Sequence, residues 1–132
     1  GRDHLVLSQG AWTCQRGVRR GDHLYLRTLH DGFHAAWGDE MLFDVVADPH
    51  EQHDLVGAEP AVTATARDLL TAWTEEQLAR SLVARDPMQT IIAEGGPFHV
   101  RGHLAAYLDR LEATGRGEWV ASLRAGQGVR AG

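Results

Sequence analysis

The chain has 132 residues, 43% of them hydrophobic and 23% charged, the proportions of an ordinary globular protein and enough for one buried core. Thirteen basic against eighteen acidic side chains give a net charge of −5, which argues against a general nucleic-acid footprint. No apolar run is long enough to cross a bilayer and no signal peptide opens the chain, so neither nucleic acid nor a membrane is an expected partner.

In chain order, residues 4–8 (HLVLS) form a short apolar run suited to a buried strand. Residues 12–19 (WTCQRGVR) alternate in part, with Trp12, Cys14 and Val18 on one parity, and RRGD supplies a turn through Gly21. Residues 23–30 (HLYLRTLH) predict a third strand. After an Asp31-Gly32 turn and a longer connection, residues 41–46 (MLFDVV) predict a fourth. Consecutive strands with short links imply an antiparallel meander.

Helices follow. Glu59-Pro60 opens one that runs to about Leu82, with Val62, Ala66, Leu69, Leu70 and Trp73 on one face. Residues 86–97, broken by Pro87, Gly95, Gly96 and Pro97, read as a connection with a short ordered piece at Ile91-Ile92. Leu104, Tyr107, Leu108 and Leu111 mark a second amphipathic helix. Gly115 and Gly117 interrupt it, and Trp119, Val120 and Leu123 mark a last short one. The expected fold is therefore α+β: a four-stranded antiparallel sheet packed against a long helix, with additional C-terminal helices. The whole chain reads as a single domain, with a core unit at about 4–83, a helical extension at about 84–125 and a disordered tail at 126–132.

The segment MLFDVVADPHEQHDL raises the question of chemistry against architecture. Asp48, Pro49 and Glu51 have the spacing of a helix-capping box. Asp48 would accept from backbone N–H groups ahead of it, Pro49 would occupy the first helical position, and Glu51 would reach back. Asp54 and Leu55 follow one turn later, with Leu55 placed to enter the core. On this reading the acids hold a corner.

These residues also resemble the C-terminal end of sulfatases. The order Leu42-Phe43-Asp44, Asp48-Pro49-His50-Glu51, Asp54-Leu55 and then an amphipathic helix is similar to that family. So is the upstream run from Arg16 to Tyr25, in the pattern Arg-x-Val-Arg-x-Gly-Asp-x-x-Tyr. The resemblance covers about residues 4–80. Phe43 stands for the commoner tyrosine, Asp54 for the commoner asparagine, and Leu24 where lysine is frequent. The resemblance implies a subdomain of four antiparallel strands and a helix beside a large catalytic domain. That domain would use a formylglycine, made from Cys/Ser in Cys/Ser-x-Pro-x-Arg, and a divalent cation of the calcium type. Here Cys14 is followed by Gln15-Arg16-Gly17, and Ser81 has Val83 where the motif needs proline. No catalytic residue, metal ligand or cofactor of this chain's own is therefore expected, and the parent is expected to be the enzyme.

The lack of an initial methionine reads as a piece of a longer protein, with the missing catalytic domain as partner and self-association as a further expectation. The single cysteine leaves the compartment open between cytoplasmic and exported. Arg16 and Arg19 are candidates to face substrate or the large domain, within a basic set completed by Arg20 and Arg27. The alternative is a solvated sheet face. The aromatic runs at 33–37 and 119–120 are candidates for the surface left exposed, the alternative being that both fold back to cover the sheet's open face. Two other functions compete: an interaction or dimerisation module using residues 101–124, and a small histidine-dependent metal protein. The latter would rest on His30/His34, His50/His53 and His99/His103, none of which has a second carboxylate or cysteine at a helpful spacing.

Overall fold

The computed structural model describes residues 3–32, 38–83, 85–97, 100–121, 123 and 124. Four strands, β1 (Leu5–Gln9), β2 (Cys14–Arg20), β3 (His23–His30) and β4 (Glu40–Asp44), form one antiparallel sheet in sequential order. Three helices follow: α1 (Pro60–Arg80), α2 (Pro87–Ala93) and α3 (Leu104–Ala113). This is the α+β meander-then-helix architecture that the pattern implies. Among the described residues no helix is long and apolar enough to cross a membrane.

The register explains which residues meet α1. Val6 pairs with Val18, Val18 with Tyr25 and Tyr25 with Leu42, so one row crosses all four strands on the same face. Val18, Tyr25 and Leu42 pack with Ala66 and Leu70 of α1, and Val6, Leu55, Val56, Val62 and Leu69 close the margins. Trp73, expected in this stripe, lies half-buried at its end beneath Arg16. Glu40 anchors the flank: it accepts from Tyr25 Oη at 2.6 Å and is gripped by both Arg67 Nε and Nη2, the latter at 2.8 Å. The Arg67 guanidinium, followed by the Tyr25 hydroxyl, holds the Glu40 carboxyl down at about 2, while burial and Glu40 push the Tyr25 phenol up.

Several boundaries differ from the sequence reading. β2 starts at Cys14, with a register irregularity between Cys14 and Gln15, and Trp12 lies outside it and exposed. Cys14 is buried, as its small apolar role requires, and burial raises its thiol pKa. β4 stops at Asp44 because the Asp44 Oδ1 accepts from the N–H groups of both Val46 and Ala47, curling the chain and leaving Val46 exposed. α1 ends at Arg80: Ser81 is extended and its Oγ takes the Val83 N–H, so Leu82 points to solvent.

The supposed connection at 86–97 contains α2, capped by Asp86, whose carboxylate accepts from Met88 N at 3.0 Å. Its Ile91 packs on Gly10, at the end of the sheet. Beyond it, Leu108, Leu111, Val120 and Leu123 form a second small core, edged by Leu104 and Tyr107. α3 ends in a Schellman pattern. Gly115, at φ +76°, donates to Glu112 O, and Arg116 donates to Leu111 O at 2.8 Å, so this glycine turns the chain into the short helical turn at 118–121.

The Glu40 linkage gives a pH prediction. Its folded pKa lies below the ordinary 4.5, so its contribution is fully present above pH 4.5 and is lost as pH falls towards 2. Glu40→Gln should lower stability at neutral pH and flatten the loss between pH 4.5 and 2. Parallel urea titrations of the two proteins across that range would measure it, and equal slopes would contradict it.

Candidate functional site: a locked corner and an open sheet face

The segment after β4 is a corner held by backbone and carboxylate groups. Asp48 N donates to Asp44 O at 2.8 Å and Glu51 N to Asp48 O at 3.1 Å. Asp48 does act as an acceptor, yet of a loop rather than a helix. Its Oδ2 takes the His53 N–H at 2.8 Å, and this bond, with a second from Gln52, holds its carboxyl below the usual range. The helix-capping box is thus corrected to a clamped turn. Glu51 adopts φ +53°, the only left-handed non-glycine among the described residues, and at that angle a right-handed helix cannot continue past Pro49.

Asp54 and Leu55 perform the function that matters for the sheet. Asp54 Oδ1 accepts from Leu42 N at 3.0 Å and from Val56 N at 3.0 Å, while Leu55 N donates to Leu42 O at 2.7 Å. Both polar groups on the outer side of β4 are satisfied at the residue that is completely buried in the core. The carboxylate stands in for a strand carbonyl, and an asparagine amide oxygen would do the same.

Arg16 and Arg19 lie three residues apart on β2 and fall on opposite faces. Arg16 is on the α1 face and nine-tenths buried. Its two Nη atoms bind the Asp86 carboxylate at 2.7 and 2.9 Å, its Nε reaches Ser8 Oγ, and the guanidinium lies 5.4 Å from the Trp73 ring centroid. The pair holds the Asp86 carboxyl below its usual range. Arg27 reaches Thr71 of α1 on the same face. Arg19 is exposed on the other face and donates to Gly21 O. The four arginines do not form one patch.

That other face is apolar, and among the described residues it is open at its Leu5 and Leu7 end, while Met41 and Phe43 at the β4 end are buried. One row runs Leu7, Gly17, Leu26, Met41, and the next Leu5, Arg19, Leu24, Phe43. A Cβ on Gly17 would sit 2.7 Å from Leu26 Cδ2, so glycine lets Leu26 lie flat across β2. Leu5 and Leu7 are 48% and 43% exposed, and a hollow of about 490 Å³ runs from Leu7 over Leu26 to Met41, walled by His50 and Glu51 of the corner. A polar ladder, Gln9 to Gln15 to Thr28, bounds one end. The sequence reading singled out none of this; the alternation of Leu24 and Leu26 with Tyr25 was the available signal.

The described histidines do not converge. His30 Nδ1 accepts from Gly32 N, His50 and His53 are exposed on the corner, and His103 sits at the start of α3; His34 and His99 fall outside the described residues. Among the described residues no three histidine, cysteine or acidic side chains are grouped as a metal site. Of the two aromatic candidates, 33–37 is outside the described residues, whereas Trp119 is 53% exposed and Val120 is buried in the second core.

No protein-family profile and no curated protein matches the chain. One solved structure that it resembles is the "putative sulfatase yidJ" of Bacteroides fragilis, at 26% identity and a TM-score of 0.40. The match covers 55% of this chain and 15% of that one. A TM-score of that size is too low to carry an argument on fold or activity.

Removing the Asp54 acceptor orphans the Leu42 N–H in the core. Asp54→Ala should therefore cost about 2 kcal/mol, the usual penalty for an unsatisfied buried donor, and Asp54→Asn a small fraction of that. Asp48→Ala, which frees only exposed loop N–H groups, should cost clearly less than Asp54→Ala. Urea unfolding of the three variants checks the order.

Proposed function

We propose that this chain is the C-terminal subdomain of a sulfatase-type sulfuric ester hydrolase, a non-catalytic scaffold whose open sheet face docks on the catalytic domain of the same polypeptide. The observation that carries the docking role is the apolar sheet face on which Leu5 and Leu7 stand exposed, beside half-buried Leu24 and Leu26, along a hollow of about 490 Å³. Such a surface on a small domain marks an interface. The family reading is supported by the motif residues: Gly21-Asp22 makes the β2–β3 turn, and Asp44, Asp48, Asp54 and Leu55 build the corner that fixes β4.

In this reading Arg19, on the docked face, lies against the catalytic domain, and Arg16 serves the internal architecture. The divalent cation and the formylglycine belong to the catalytic domain. This chain's residues do not fit either group: Cys14 is buried without the motif's proline and arginine, and Asp48, Asp54, Glu40 and Asp86 act as backbone acceptors or arginine partners. No chemical step is assigned to them.

The upstream coding sequence is the first test. A Cys/Ser-x-Pro-x-Arg motif a few hundred residues earlier supports the reading, and its absence from the parent sinks it. The isolated chain should leave p-nitrocatechol sulfate unhydrolysed and should self-associate with rising concentration, a tendency that Leu7→Asp abolishes in sedimentation runs. A second reading, association through residues 101–124, is favoured by Trp119, which stands exposed beside a second core separate from the first. Loss of association in Trp119→Ser but not in Leu7→Asp would transfer the interface to those helices.

A further inference from the structure

On the side of the molecule away from the open sheet face, the last turns of α1 and the start of α2 enclose a second hollow, of about 410 Å³. That size is within the range of small-molecule sites. It exists because the chain reverses abruptly. Ser81 closes a turn on Val83, Arg85 N donates to Val83 O, and Asp86 then returns to Arg16, leaving a gap beside Trp73. The Trp73 indole supplies an apolar surface, and Gln77 an amide from the next turn of α1.

The lining is cationic in an acidic protein. Arg16, Arg80 and Arg85 contribute three guanidinium groups against the one carboxylate of Asp86, in a chain of net charge −5. Arg16 is nine-tenths buried and spends three of its five N–H groups on Asp86 and Ser8. Arg80 is paired with Glu76 by an exposed contact of the kind that competes weakly with other anions. Among the described residues Arg85 is exposed and has no side-chain partner at all.

We propose that this hollow binds a small planar organic anion, its ring against Trp73 and its carboxylate, or an oxyanion of like charge, held by Arg85 with Arg80 at the rim. The ring provides apolar burial that a bare inorganic ion lacks, and the charge selects against a neutral ring of the same shape. Gln77 adds a donor to the same oxygen atoms.

The test uses the whole ¹⁵N-labelled chain, titrated separately with naphthalene-2-carboxylate, naphthalene-2-carboxamide and inorganic phosphate. Saturable shifts of the Trp73 indole N–H with the carboxylate, about tenfold weaker binding of the carboxamide, and a similar loss in Arg85→Gln are expected. Phosphate should bind more weakly than the carboxylate. Arg85 is exposed, so the variant's amide spectrum should otherwise overlay that of the parent chain. No saturable binding, equal affinity for carboxamide or phosphate, an unaltered Arg85→Gln variant, or shifts confined to the Leu7–Leu26 face would each overturn the proposal.

Discussion

The structure depends on a single contact surface: the row Val6, Val18, Tyr25 and Leu42 pressed against Ala66 and Leu70 of α1. A four-stranded sheet has two faces, and one helix covers only one of them. The polar residues on the covered face are arranged around that row and not within it. Glu40 with Arg67 and Tyr25 closes one flank, and Arg16 with Asp86 and Ser8 the other. Each charged group enters the partly buried margin with its partner in hydrogen-bonding geometry, which is the condition for tolerating it there.

The two edges of the sheet are treated differently. β4 is closed by the corner, where Asp54 and Leu55 take both outward-facing polar groups of Leu42 without adding a strand. Among the described residues no backbone bond reaches the outer side of β1. The uncovered apolar face lies beside that free edge, at Leu5 and Leu7. A partner that covered the Leu5 and Leu7 side would bury apolar surface where the sheet is least protected. The helical extension is tied to the opposite face through Arg16 and Asp86, and it carries its own small core.

Much of this was legible from the amino-acid order. Alternation placed β3 to the residue, and helical spacing placed Val62, Ala66, Leu69 and Leu70 towards the sheet, because period and burial are local properties of an amphipathic element. Gly115 was legible as a stop for the same reason: a left-handed residue after a helix is a local requirement. The sequence also determined that Cys14 and Ser81 lack the neighbours of the Cys/Ser-x-Pro-x-Arg motif.

Tertiary structure decided what local signals leave degenerate. Asp48-Pro49 and Asp86-Pro87 carry the same helix-start signal, but only the second starts a helix. Met88 and Ile91 find apolar surface there, whereas after Pro49 the chain is held by Asp48 and turned at Glu51. Arg16 and Arg19 look equivalent in a basic run; the pleat sends one over the Trp73 ring and onto Asp86, seventy residues away, and the other to solvent. The open face follows the same logic. Leu24 and Leu26 read as core in any window of sequence, and whether a strand's second face is covered depends on how many layers the chain supplies, a property of the whole packing and of no local segment.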